Sequence, residues 1–293
     1  MSAPGLGQFR VPQPSTVVTS YGPVVVRDTG TDGVAVVMAH GWAADGLTNW
    51  LRAFEPLVAA GYRPVAVDLP GHGGTPLAGE FALQDCALVV AEICHYVGTP
   101  AVLLGYSMGG PVMQLAARDH LDAVGLVHIA TAARLAPTAL ERGLLGGLHR
   151  AGSLAVAAVA TLRFLASAAA PAAGDVEHDL SAHAAWLAKN ASKRALVEAA
   201  GELARFDSRA WVADLDTEAV SVITTADRAV PPSSQHELAD LTRAVVYEVP
   251  YGHLACLRPG FGRMVTDVVA QLAQPTAVVR EPTEPPGRRR TAL

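Results

Sequence analysis

The sequence predicts an α/β protein: a mostly parallel, doubly wound sheet with a helical cap inserted between two of its strands. Short apolar or β-branched runs of strand length alternate with longer stretches of helical spacing, the order expected when crossover helices join parallel strands. One interval, 134–209, interrupts that alternation; it is dense in Ala and Leu, the strongest helix formers, and holds no strand candidate.

Residues 1–15 are rich in Gly and Pro and carry no periodic pattern, so they are expected to be flexible. Segments 16–20 and 24–28 flank Tyr21-Gly22-Pro23 and read as an antiparallel hairpin on one sheet edge. Strands are then predicted at 34–39, 64–67, 101–104 and 124–129, separated by helices at 50–60, 83–97 and 111–120. After the interval come a strand at 220–224, a helix at 233–241, a strand at 244–249 and a helix at 261–272. Most of these strands are apolar along their whole length, as strands covered on both faces are. Within 134–209, Gly143, Gly146, Gly147, Gly152, Pro171 and Gly174 divide the Ala-rich run, which reads as a helical cap set into a core of 16–133 and 210–273. The end, 274–293, holds Pro275, Pro282, Pro285, Pro286 and the triplet Arg288-Arg289-Arg290, and is expected to be a disordered, solvated tail.

Composition narrows the function classes. Lys and Arg number 22 against 27 Asp and Glu, a net charge of −5, so there is no basic excess to grip phosphates and nucleic acid is not an expected partner. With 51% hydrophobic and 17% charged residues, the chain has ample material for a large core. Cys86, Cys94 and Cys256 form no CxxC pair, which suggests neither a disulfide framework nor a zinc site and favours a reducing, cytoplasmic location. The opening residues lack the apolar middle of a signal peptide. The longest apolar stretch, 151–162, stops at Arg163, so no integral membrane span is expected.

The chemistry begins at Gly105-Tyr106-Ser107-Met108-Gly109-Gly110, a G-x-S-x-G placed directly after a buried strand and before a helix. A serine there rides a sharp strand-to-helix turn, and small neighbours are needed because the backbone crowds itself. A serine hydroxyl is a poor nucleophile near neutral pH, so it needs a base, and the base needs an orienting acid. Asp227 follows the strand at 220–224, and His253 follows the final strand in a loop of Pro250, Tyr251 and Gly252. Backbone N–H groups could stabilise the oxyanion: that of Met108, just after the nucleophile, and that of Trp42 in His40-Gly41-Trp42, just after the strand at 34–39. His40 is expected to be a buried imidazole bonded to loop backbone.

HGW at 40–42, DLPGHG at 68–73, GYSMGG at 105–110, ITTADRAVPP at 223–232 and YGH at 251–253 together resemble the α/β-hydrolase superfamily over about 16–273, and longer stretches are similar to actinobacterial members described only generically. The resemblance implies the α/β-hydrolase fold, a Ser-His-Asp hydrolase with a helical cap, and no cofactor or metal. Ser107, Asp227 and His253 match the family's triad, Trp42 and Met108 its oxyanion positions, while Asp68 and His72 match a structural turn. Dehalogenases and epoxide hydrolases of the family carry Asp where this chain has Ser107. Phe164, Trp186 and Trp211 are the large residues in or beside the cap and suit an apolar acyl or alkyl group. The expected activity is hydrolysis of a small apolar carboxylic ester through an acyl-enzyme. Carbon-carbon bond hydrolysis, a peroxidase-like activity and a catalytically silent ligand-binding scaffold are the alternatives, and the sequence leaves the oligomeric state open.

Overall fold

A computed structural model of the chain describes residues 9–98, 100–135 and 192–274. Eight strands form one sheet: β1 (Ser15–Thr19), β2 (Gly22–Asp28), β3 (Ala35–Ala39), β4 (Arg63–Val67), β5 (Ala101–Tyr106), β6 (Gly125–Ile129), β7 (Ala219–Thr224) and β8 (Val245–Val249). Their spatial order is β1-β2-β4-β3-β5-β6-β7-β8. β1 and β2 pair antiparallel, as does β2 with β4, and every other neighbouring pair is parallel. This is the predicted mostly parallel sheet, with its hairpin on one edge.

Seven α-helices belong to the described residues: α1 (Gly46–Trp50), α2 (Phe54–Ala59), α3 (Leu83–Val97), α4 (Gly109–Asp119), α5 (Lys193–Arg205), α6 (Pro232–Thr242) and α7 (Phe261–Val269). Strand side chains alternate between two cores. Val37 and Leu103 face one that includes Leu83, Cys86 and Val89 of α3 with Val112 and Met113 of α4. Val36, Met38 and Leu104 face the other, with Trp50, Phe54 and Leu57 from α1 and α2 and Phe261, Val265 and Val268 from α7. Complete burial of such side chains is worth about 1.5–3 kcal/mol each, and it fixes the register of the central strands.

Three details depart from the sequence reading. The helix expected at 50–60 is two helices, α1 and α2, with Leu51, Arg52 and Ala53 between them. Pro56 is the reason: it has no N–H for Arg52's carbonyl, so it is tolerated only in a first turn, and α2 restarts two residues before it. β8 is not covered on both faces; Val245 and Val246 are 51% and 42% exposed because β8 is the sheet's far edge. The described part of the supposedly flexible 1–15 segment is tied down, since Phe9 and Val11 pack on the second core and Pro12's carbonyl accepts from Arg27. Most of the predicted cap, 136–191, and the tail beyond Gln274 lie outside the described residues.

Candidate active site

β5 turns into α4 through Ser107, whose φ of 51° puts a non-glycine residue in the left-handed region. Such a conformation costs on the order of 1–3 kcal/mol and persists only where its surroundings fix it. Here the Ser107 N–H donates to Ile129 O at 2.9 Å, and Ser107 O accepts from the Gly110 N–H at 2.9 Å and from Thr131 Oγ1 at 2.7 Å. The flanking glycines are steric requirements. A Cβ on Gly105 would lie 2.5 Å from Gly109 O, and one on Gly109 would lie 2.2 Å from Ala39 O.

Asp227 lies in the loop after β7 and His253 in the loop after β8, so both stand at the same end of the sheet as Ser107. The three residues meet in series: His253 Nε2 is 3.0 Å from Ser107 Oγ, and His253 Nδ1 is 2.8 Å from Asp227 Oδ2. All are buried. An ionised carboxylate only accepts, so beside one Nδ1 carries the hydrogen and Nε2 turns a lone pair to the serine hydroxyl. The other carboxylate oxygen, Oδ1, accepts the N–H groups of Ala229 and Val230 at 2.8 and 3.0 Å.

The 40–42 loop passes directly beside the serine, since a Cβ on Gly41 would lie 3.3 Å from Ser107 Cβ. Met108 immediately precedes α4, so its N–H is among the N-terminal donors that a helix cannot use itself. The Trp42 ring is buried in the first core, and its indole N–H donates to Leu196 O of α5 at 3.0 Å. His40 accepts the Leu69 N–H on Nε2 at 3.0 Å and donates from Nδ1 to Gly41 O at 2.8 Å. Burial lowers its pKa and keeps it neutral, which suits this structural role. Asp68 accepts from the Gly46 and Gly74 N–H groups, both at 2.8 Å, and so ties the following turn to α1.

Several residues that the sequence did not single out hold these groups. The Tyr106 phenol donates to His253 O. Asn49 accepts the Gly41 N–H on Oδ1 at 2.6 Å and donates from Nδ2 to Cys256 Sγ at 3.3 Å, linking the 40–42 loop to the short 3-10 turn after His253. Burial pushes the Tyr106 phenol well above its usual pKa and the Cys256 thiol up to about 11, so both stay protonated near neutral pH. Thr224 and Gln235 surround Asp227. Tyr106 and Thr224 lie inside the motifs already quoted, whereas Gln235 is one polar residue on a helix and gives no local signal.

α5 is the helix in the described part of the 134–209 interval, and it contacts the loops after β3 and β4, where Leu196 O accepts from the Trp42 indole. Ser192 N–H donates to Gly71 O at 3.0 Å, and the Phe81 N–H donates to Glu198 Oε2 at 2.7 Å. Trp211 packs away from the serine, edge-on to Phe206 with the Arg118 guanidinium 4.3 Å above its ring. Phe164 and Trp186 lie outside the described residues. Among the described residues no group of His, Cys, Asp and Glu could hold a metal ion, and no helix is long and apolar enough to cross a membrane.

A parallel sheet carrying a buried serine at a strained strand-to-helix turn defines the class of fold, and the family model for the alpha/beta hydrolase family matches residues 36–261. The chain belongs to that family. It is 33% identical over 233 residues, 76% of this chain and 88% of the relative, to the pimeloyl-[acyl-carrier protein] methyl ester esterase of Chromobacterium violaceum. Over a shorter stretch of 96 residues, 31% of this chain and 34% of the relative, it is 36% identical to the magnesium-chelatase 30 kDa subunit of Rhodobacter capsulatus. Among solved structures, a hydrolase from Pseudomonas aeruginosa PA01 superposes with a TM-score of 0.74 at 21% identity, covering 88% of this chain and 97% of that one. A bromoperoxidase from Bacillus anthracis superposes with a TM-score of 0.73 at 17% identity, covering 89% and 99%. Both likenesses are likenesses of fold.

Proposed function

We propose that the chain is a serine esterase in which Ser107 is the nucleophile, His253 the general base and then acid, and Asp227 the residue that orients His253. The observation that carries this reading is the unbroken series Ser107 Oγ to His253 Nε2 at 3.0 Å and His253 Nδ1 to Asp227 Oδ2 at 2.8 Å, inside a buried site. Ser107 Oγ attacks the ester carbonyl while Nε2 takes its proton. The tetrahedral oxyanion is held by the backbone N–H groups of Met108 and Trp42. Collapse breaks the bond to the alkoxide, which leaves as the alcohol with the proton from Nε2, and the acyl group stays on Ser107. Water then attacks the acyl-enzyme, gives its proton to Nε2 and releases the carboxylic acid, with the proton returned to Ser107.

The substrate class is a small carboxylic ester with an apolar acyl or alkyl part. The 33% identical relative is named for a methyl ester, which favours this reading over the carbon-carbon and peroxidase-like chemistries of the same fold. Of the interval 134–209 expected as a helical cap, α5 is the described helix, and it bonds the loops that follow β3 and β4. Three free, buried thiols suit a reducing, cytoplasmic location.

Hydrolysis of p-nitrophenyl esters from acetyl to palmitoyl, by wild type and Ser107→Ala, tests the reading. Wild type should turn over part of the series, and the variant should lose on the order of 10⁶ in kcat while keeping its melting temperature. A variant that retains more than about a tenth of wild-type activity overturns the assignment.

A further inference from the structure

We infer that Thr224 and Gln235 are a positioning pair for the acid of the site: the Thr224 hydroxyl, aimed by the Gln235 amide, donates to the carboxylate oxygen of Asp227 that also receives the His253 N–H. This rests on the triad reading above and adds to it the residues that set the acid's strength and direction.

The geometry leaves little freedom. Thr224 Oγ1 is 2.8 Å from Asp227 Oδ2, and Gln235 Nε2 is 2.9 Å from Thr224 Oγ1. Two one-way partners orient the amide. Val230 O can only accept and lies 2.8 Å from Nε2, while the Thr224 N–H can only donate and lies 3.0 Å from Oε1. The hydroxyl hydrogen has two acceptors in reach, Asp227 Oδ2 at 2.8 Å and Gln235 Oε1 at 3.2 Å; Oε1 already accepts the Thr224 N–H, and the shorter contact to the charged oxygen takes the hydrogen. All three side chains are buried, Thr224 completely. Water therefore does not compete for these bonds, and a hydrogen bond to a charged group in such surroundings is worth more than a neutral one.

The consequence is electrostatic as well as positional. Each donor to Oδ2 spreads the carboxylate's charge and weakens its pull on a protonated imidazole. The Thr224 hydroxyl thus holds His253 in line with Ser107 while keeping the imidazole from being over-stabilised in its charged form, in which it cannot act as a base. Among the described residues, the Tyr106 ring from β5 stands 5.9 Å from the His253 ring, and the Cys256 thiol lies next to Tyr106; burial keeps both protonated. Gln235, from α6, is neutral. The effect on the pair is read as the shift of the acid limb of kcat/KM between each variant and wild type.

The test compares Thr224→Val, which keeps the shape and removes the donor, with Thr224→Ser, which keeps the donor. We expect Thr224→Val to lower kcat about tenfold with KM changed less than about twofold, and to move the acid limb of kcat/KM to higher pH. Thr224→Ser should leave both near wild type. A folded Thr224→Val with an unmoved limb, whatever its kcat, overturns the inference, as does an equal loss in the two variants. Should Thr224→Val not fold, Thr224→Ala carries the same readout. Failure of the triad reading looks different: it leaves wild type without an acid limb or Ser107→Ala active.

Discussion

Ser107 combines a backbone φ of 51° with a hydroxyl 3.0 Å from an imidazole nitrogen, and both facts follow from its place at the end of β5. The strained turn lifts the side chain out of the sheet, and the loops after β7 and β8 bring Asp227 and His253 to it. In the proposed mechanism the value of Asp227 is its direction. With Asp227→Asn the side chain can turn its NH₂ toward the imidazole, the hydrogen moves to Nε2, and the base is lost. Steady-state assays of Asp227→Asn should show a loss of roughly 10⁴ in kcat, the precedent for this change in a serine protease triad. A loss below about tenfold would mean that another carboxylate orients His253. Wild-type kcat/KM should fall tenfold per pH unit on its acid side, because only a neutral imidazole accepts the serine proton. A profile that stays flat into the carboxylate range, measured with an ester that does not itself titrate, would exclude His253 as the base.

At the scale of elements, the strand-to-helix turn is held by close backbone approach. Gly109 sits where any Cβ would come within 2.2 Å of Ala39 O on β3, and backbone cannot move aside as a flexible side chain can. Gly109→Ala should therefore force β3 and α4 apart and cost more than about 3 kcal/mol, visible as a drop in the urea midpoint. An unchanged midpoint would show that the approach is looser than these distances. The same scale explains what was legible in the sequence. The central strands were, because their apolar runs are too short for helices and rich in β-branched residues. Helix α3 was found at its observed limits, since its apolar period is uninterrupted and Gly98 closes it in the left-handed region. The break between α1 and α2 was masked by continuing apolar spacing and is visible only by asking which carbonyl Pro56 leaves unbonded. Ser107, Asp227 and His253 were each marked by a strand end and a turn. Gln235 was not, because its partners Thr224 and Asp227 are joined to it by the fold and not by any sequence period.

At the scale of the whole molecule, two buried histidines outside the triad predict an acid sensitivity. His72, in the turn after β4, and His128, on β6, are buried, and burial lowers their pKa from 6.5 to about 3 and about 4. His40 adds to the effect at His72 by its proximity, with ring centroids 5.2 Å apart. Neither ring nitrogen of His128 has a hydrogen-bond partner among the described residues. The sign follows from linkage. Below about pH 6.5 the unfolded chain binds protons that the folded chain refuses, so stability present above that pH is lost as pH falls toward the folded values. Each histidine should cost on the order of 2 kcal/mol by pH 5. Urea unfolding at pH 7.5 and pH 5 should show the loss, and His128→Leu should reduce it; an equal loss in that variant would place the sensitivity elsewhere.

In the proposed reaction the ester's acyl group passes through Ser107. Acid-quenching the enzyme during turnover of its best p-nitrophenyl ester and mapping the adduct by peptide mass spectrometry tests it most directly. One acyl group should appear, on the peptide containing Ser107, vanish when substrate is exhausted and never form in Ser107→Ala. Sustained turnover of the ester by Ser107→Ala, or an acyl group found only on another residue, would contradict it.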